Sequence, residues 1–142
     1  MSENLSSQDL GRLADDLRRI PAFAGLPDDH MTWLLEHFEE VRLAPGEIFL
    51  RPGDPAVWLT VVLEGEIRLQ RENAADGPVY SISAGQVTGY LPYSRLTHFR
   101  ATGRAVTPTR LVRMHRDNFP EMLHKMPELG HRLVAVMADR IR

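Results

Sequence analysis

Apolar residues recur at helical spacing near the start of the chain. The first stripe stops at Pro21 and predicts an amphipathic helix that Ser7 caps. A second stripe follows Pro27 and predicts another helix, capped by Asp28 or Asp29. We expect both stripes to face the core. The first consists of Leu10, Leu13, Leu17 and Ile20, and the second of Met31, Leu34, Leu35 and Phe38.

From residue 41 to residue 116 the apolar runs become short and alternating, and clusters of Pro, Gly, Asn and Asp separate them. Short strands at regular spacing with turns between them are typical of a sandwich or barrel. A final strand pair is expected within Ala101–Met114, turning around Thr107-Pro108. The other predicted strands are Val41–Leu43, Ile48–Leu50, Trp58–Leu63, Ile67–Leu69 and Val79–Ile82.

Helical spacing returns after Arg116. Asp117 or Asn118 is expected to cap a short helix that closes before Pro127, and a longer helix follows. Its apolar stripe runs to the last residue without a capping glycine or a polar tail, so we expect the natural chain to continue. The stripe consists of Leu129, Leu133, Val136 or Met137, and Ile141, and a coiled coil could extend it.

These patterns predict an α+β fold in which an antiparallel β-roll, or jelly roll, is flanked by helices. We expect a flexible tail over residues 1–7 and one domain over residues 8–142. Within that domain we expect N-terminal helices at 8–40, the roll at 41–116 and two C-terminal helices at 117–142.

Composition narrows the function classes. The chain has 142 residues, no cysteine and a formal net charge of -2, which argues against a disulfide framework, a thiolate metal site and general affinity for nucleic acid or membranes. No apolar run approaches the ~20 residues that span a bilayer, so we expect a cytoplasmic protein. The six histidines lack metal-ligand spacing, and no catalytic motif is present. We therefore expect neither a metal site nor an enzyme.

The charge is unevenly distributed. Residues 77–116 contain no Asp or Glu, although the chain as a whole is acidic. We call this part the arginine segment. Arginines near backbone amides at a helix start can hold an anion, but the same residues could simply be the solvated faces of strands. Its arginines are Arg95, Arg100, Arg104, Arg110, Arg113 and Arg116.

The segment LAPGEIFLRPGDPAVWLTVVLEGEIRL (Leu43–Leu69) resembles the front half of a cyclic nucleotide-binding domain. The matching features are the turns at Gly46-Glu47 and Gly53-Asp54, the arginine at Arg51 and the strand-closing Gly65. The tail segments LVRMHRDNFPEML and PELGHRLVAVMADRIR resemble the last strand and the two C-terminal helices of that family. The resemblance covers Leu17–Arg142, and it implies a β-roll that binds a ligand.

The ligand cassette of that family begins with a glycine and a glutamate at the start of a short helix, and an arginine and a small hydroxyl residue follow about nine residues later. The glutamate grips the ribose, and the arginine neutralises the cyclic phosphate. Counting back from the last strand without a gap places the cassette at residues 88–101. Gly89 is expected to open the short helical turn, and Ala101 is retained at the end of the cassette.

The two residues on which cyclic-nucleotide affinity depends are replaced. Tyr90 stands at the glutamate position, Phe99 at the arginine position and Arg100 at the hydroxyl position. A phenylalanine would desolvate a phosphate without offering a charged donor. Arg95 or Arg100 could replace the missing arginine, and tyrosine and phenylalanine rings could stack on a planar ring. The candidate ligand-binding residues are Gly89, Tyr90, Leu91, Tyr93, Ser94, Arg95, Phe99, Arg100 and Ala101.

Three functions follow from the resemblance. The first is a non-enzymatic sensory domain whose changed pocket binds a nucleotide in another pose or some other small anionic molecule. The second is a ligand-free module for dimerisation or interaction, and the third is an ordinary receptor for cyclic AMP or cyclic GMP. In each case the resemblance implies a homodimer through the C-terminal helix and a fused output domain, a histidine kinase or a helix-turn-helix, outside this chain.

Overall fold

The computed structural model describes residues 7–71, 79–89, 98–99 and 101–138. They form two compact units. One contains the described residues up to Glu39 and those from Asp117 onward, and the other is Glu40–Arg116. The first unit is helical and the second consists of strands, so the predicted α+β class is confirmed.

In the helical unit, α1 packs on α2, and α4 packs on α3 and on a 3₁₀ turn at Pro21–Phe23. Most of the predicted apolar stripe positions are buried, because one face of each amphipathic helix is covered. Trp33 is buried as well, although the sequence pattern did not select it. The helices are α1 (Ser7–Arg18), α2 (Asp28–His37), α3 (Phe119–Lys125) and α4 (Pro127–Ala138).

The predicted cap is wrong for α2, and for α3 the predicted residue Asn118 occupies the N-cap position without a capping hydrogen bond. Pro27 occupies the N-cap of α2, and Asp28 and Asp29 lie inside its first turn, where their charges still favour the helix dipole. Asn118 is the N-cap of α3, but its side chain makes no capping hydrogen bond. The physical reason is that a 3₁₀ turn at Arg116–Asn118 leads directly into α3, so Asn118 has helical rather than extended backbone angles.

Two four-stranded antiparallel sheets make up the strand unit. One has the order β1-β8-β3-β6 and the other β2-β7-β4-β5. This is the β-roll that the alternating pattern predicts. The strands are β1 (Glu39–Leu43), β2 (Ile48–Leu50), β3 (Trp58–Glu64), β4 (Glu66–Arg71), β5 (Val79–Ser83), β6 (Val87–Gly89), β7 (Ala101–Ala105) and β8 (Thr109–His115).

The last two strands do not pair with each other, so the predicted strand pair is wrong at this point. The chain between Ala105 and Thr109 crosses from one sheet to the other, so that β7 pairs with β2 and β4 while β8 pairs with β3. Between the sheets lies an apolar core. It contains Leu43, Val62, Ile67, Ile82, Ala105 and Leu111.

None of the helices in the described ranges is both long enough and apolar enough to cross a bilayer.

Candidate ligand site

A cavity of about 210 Å³ continues the core of the roll toward one end. Both sheets contribute to its walls, and the turn between β2 and β3 supplies its rim. Most of its lining is apolar and includes three aromatic rings. The lining residues are Phe49, Leu50, Asp54, Pro55, Val57, Trp58, Thr60, Ile67, Leu69, Ile82, Thr88, Phe99 and Arg113.

Three polar side chains of this lining form a row across one sheet. Thr60 on β3 pairs directly with Thr88 on β6 and with Arg113 on β8. Residues that pair directly across neighbouring strands point to the same face of a sheet. The row therefore presents two hydroxyl groups and one guanidinium to the cavity, and Thr60 at its centre is only 3% exposed.

An aromatic ring holds the guanidinium of this row. The Arg113 Cζ atom lies 4.0 Å from the centroid of the Trp58 indole, which is a cation–π contact. Trp58 also meets the ring of His115 edge-on, with 5.2 Å between the centroids. The indole is thus packed between two side chains of β8, and this packing restricts where the charge of Arg113 can lie.

Backbone hydrogen bonds fix the rim of the cavity. The amide of Gly53 donates to the carbonyl of Phe99 at 2.9 Å, and the amide of Phe99 donates to the carbonyl of Asp54 at 2.9 Å. The Asp54 carboxylate accepts a hydrogen bond from the amide of Arg51 at 2.9 Å. These bonds fix the backbone of Phe99, which lines the cavity, and hold the Asp54 carboxylate within its own turn.

A family comparison decides what kind of roll this is. The model of the cyclic nucleotide-binding domain matches residues 40–126, which is more than half of the chain. The chain belongs to the cyclic nucleotide-binding domain family. The resemblance that the turn glycines and the terminal helices indicate is therefore confirmed, and the family is one of regulatory domains.

The relatives of this chain include proteins of different kinds. The chain is 28% identical over 130 residues to the acetyltransferase Pat of Mycolicibacterium smegmatis, covering 90% of this chain and 38% of that protein. It is 24% identical over 128 residues to the cyclic AMP receptor protein of Thermus thermophilus, covering 89% of this chain and 59% of that protein. The chain thus spans less than two thirds of the length of either relative.

Among solved structures, the fold is similar to the N-terminal domain of a transcriptional regulator from Streptomyces coelicolor. The TM-score is 0.67 at 31% identity, and the match covers 90% of this chain and 91% of that chain.

Of the candidate residues that the sequence selects in this cyclic nucleotide-binding domain, the structure describes three. Phe99 lines the cavity, Ala101 begins β7 opposite Arg71, and Gly89 ends β6 opposite Leu59. The short helix expected after Gly89 lies outside the described residues. So do the candidates Tyr90, Leu91, Tyr93, Ser94, Arg95 and Arg100.

The described arginines of the arginine segment lie in different environments. Arg104 is exposed on β7 and donates to the carbonyl of Gly46 at 2.9 Å. Arg110 is buried among carboxylates of other strands, whereas Arg113 lines the cavity. Counting charges within residues 77–116 overstates the positive charge of this part of the surface, because the carboxylates that pair with Arg110 lie outside the segment. Only part of its positive charge is therefore available to a ligand.

Arg110 bridges two glutamates of the same sheet. Its Nε donates to Glu40 Oε1, and its Nη1 donates to Glu64 Oε1 at 3.1 Å. The side chains of Arg110 and Glu40 are 10% and 13% exposed. Glu64 thus belongs to a structural ion pair.

Sequence reasoning missed the polar row. It named Arg113 only as one of six arginines, and it assigned no role to Thr60, Thr88 or Trp58. The signal that could have found them is the alternation along β8. Because Leu111 belongs to the core of the roll, Arg113 two residues later must face the same interior.

Within the part of the chain that the structure describes, no three His, Asp or Glu side chains come close enough together to hold a metal ion.

Proposed function

We propose that this domain is a sensory module that binds a small anionic molecule inside the roll and does not bind cyclic AMP or cyclic GMP in the pose usual for the family. One observation carries the proposal. Arg113 on β8 is a cation in the cavity lining, and Phe99, which the sequence resemblance assigns to the position of the cassette arginine, lines the same cavity.

The exchange of arginine for phenylalanine changes what this wall can bind. A cyclic phosphate needs a charge-assisted donor where it rests, and arginine supplies the strongest one. The Phe99 ring offers no such donor and would remove water from the phosphate. An aromatic wall instead favours an apolar or planar body, which can stack on the ring.

The binding signal needs an output. Relatives carry this kind of domain in longer chains that are named as a receptor protein and as an acetyltransferase. We propose that α4 relays ligand binding to a fused output domain and forms a homodimer, and that the domain itself is cytoplasmic, non-enzymatic and does not bind nucleic acid. The output domain, a kinase, a helix-turn-helix or a catalytic domain, would lie outside these residues.

A second candidate is ordinary cyclic AMP binding, which the similarity to a cyclic AMP receptor protein favours. The two functions differ in their ligand, so a binding experiment separates them.

Thermal unfolding of the purified chain should distinguish cyclic nucleotides from small organic anions. A ligand at 100 times its dissociation constant adds about 2.7 kcal/mol to the free energy of unfolding. For a domain of this size that corresponds to a rise in Tm of roughly 5–10 °C. We expect such a rise with members of a panel of small organic anions and none with cyclic AMP, cyclic GMP, cyclic dinucleotides or ATP.

A rise with cyclic AMP would contradict the proposal and support the second candidate. No rise with any compound would favour a ligand-free module for dimerisation.

A further inference from the structure

The polar row and the aromatic walls restrict the chemical class of the ligand more than the charge of Arg113 alone does. Neighbouring strands lie about 4.8 Å apart, so the three side chains of the row span roughly 10 Å across the sheet. Arg113 lies at one end, Thr60 at the centre and Thr88 at the other end. A planar carboxylate has two oxygens, which can accept from the guanidinium and from the central hydroxyl at once.

Charge favours a monoanion over a dianion such as a phosphate monoester. Among the described lining residues, Arg113 is the one cation and Asp54 the one carboxylate. A phosphate ester that carries nearly two negative charges would face a single guanidinium and a carboxylate at the rim. A monocarboxylate matches that guanidinium with one charge. Arg113 also meets the indole of Trp58, and this cation–π contact holds its guanidinium, a group with several N–H donors, at the wall of the cavity.

Size and shape describe the rest of the ligand. The cavity of about 210 Å³ lies below the roughly 300–1,000 Å³ common for sites of drug-sized ligands. Phe49, Trp58 and Phe99 contribute aromatic surface, and the remaining walls are mostly aliphatic. Such a lining suits one planar apolar ring or a body of similar size.

We propose that the ligand is a compact aromatic or similarly apolar monocarboxylate, anchored by Arg113 together with Thr60 and Thr88. This inference rests on the proposed function and adds the chemical class of the ligand. The anchor belongs to β8, β3 and β6 and not to the cassette segment between β6 and β7.

Calorimetric titration with benzoate and benzamide tests the anchor. The two compounds share ring and shape, but only benzoate carries a charge. We expect benzoate to bind the wild-type chain about 10- to 100-fold more tightly than benzamide, because a charge-assisted pair with Arg113 forms only with the carboxylate.

Variants assign this preference to particular residues. Arg113→Met keeps an unbranched apolar stem but removes the guanidinium, and it should weaken benzoate binding by about 10- to 100-fold while removing the preference over benzamide. Thr60→Val is nearly isosteric and should weaken benzoate binding by about 3- to 10-fold. The matched control is Arg68→Met, since Arg68 lies on β4 with a side chain 54% exposed and outside the cavity lining. This control should bind benzoate like the wild type.

Several results would overturn the inference. Equal affinity for benzoate and benzamide would contradict the proposed carboxylate anchor. Unchanged benzoate binding in Arg113→Met would contradict it as well. If Arg113→Met fails to fold, Thr60→Val and the comparison of benzoate with benzamide still test the carboxylate anchor. Absence of benzoate binding also overturns the anchor. The proposed function fails separately, when the whole small-molecule panel leaves the Tm unchanged or when cyclic AMP raises it.

Discussion

Replacing Arg110 with alanine is expected to lower the free energy of unfolding by about 3–5 kcal/mol. Arg110 is 10% exposed and holds Glu40, which is 13% exposed, together with the more exposed Glu64. Without the guanidinium, the poorly hydrated Glu40 carboxylate loses its buried cation and is left with the exposed Arg42, whose Nη2 lies 3.9 Å from Glu40 Oε1. Breaking a buried pair on one side costs far more than the pair contributes when intact. Urea denaturation followed by circular dichroism would measure the change.

The control for Arg110 is an arginine that pairs on the surface. Arg68 lies 4.0 Å from Glu66, and its side chain is 54% exposed. Arg68→Ala should cost no more than about 1 kcal/mol, because exposed ion pairs are weak. Similar losses in both variants would show that Arg110 is solvated like a surface residue, which would contradict its assignment as a buried bridge.

Gly65→Ala is expected to lower the free energy of unfolding by about 2–5 kcal/mol, for two reasons that add. Gly65 has a φ of +91°, a conformation that side chains rarely adopt. An added Cβ would also lie 2.5 Å from the carbonyl oxygen of Pro108 and 2.6 Å from Thr109 Oγ1. These neighbours are fixed, because Thr109 Oγ1 donates to the carbonyl of Thr107 at 2.8 Å and lies 3.3 Å from that of Glu66.

Gly85→Ala is the control that separates backbone strain from steric overlap. Its φ is +88°, but an added Cβ would have no heavy atom within 4 Å apart from its chain neighbours. Gly85→Ala should therefore cost only the conformational term, about 1–2 kcal/mol. Chemical denaturation of the two variants in parallel gives the comparison. Equal losses at both positions would mean that the turn at Gly65 does not press against the turn between β7 and β8.

The sequence predicted the elements of this fold well, because periodicity reflects which face of an element is buried. Leu13 and Leu17 at helical spacing are buried in α1, and the alternation around Ile67 marks β4. Helix caps and strand partners are harder to predict from the sequence. Asn118 has the right chemistry for a cap, but the turn before it sets its backbone, and local sequence does not reveal that β7 and β8 belong to different sheets.

The site was predictable only in part, because it joins residues that are distant along the chain. Phe99 was selected through the family resemblance, and it does line the cavity. Thr60, Thr88 and Arg113 come together only through the register of β3, β6 and β8. Arginines that look alike in sequence also differ in environment, since Arg110 has buried carboxylate partners and Arg113 faces the cavity.

The most direct measurement is a nuclear magnetic resonance titration of the ¹⁵N-labelled chain, followed at the side-chain N–H signals of Arg113 and Trp58. Arg113→Met identifies the first signal, and Trp33→Phe identifies the second, since the chain has two tryptophans. We predict that both signals shift with benzoate until the site is saturated and that cyclic AMP leaves them unchanged. Saturable shifts with cyclic AMP, or no response to benzoate, would contradict the assignment of this cavity to a small monocarboxylate.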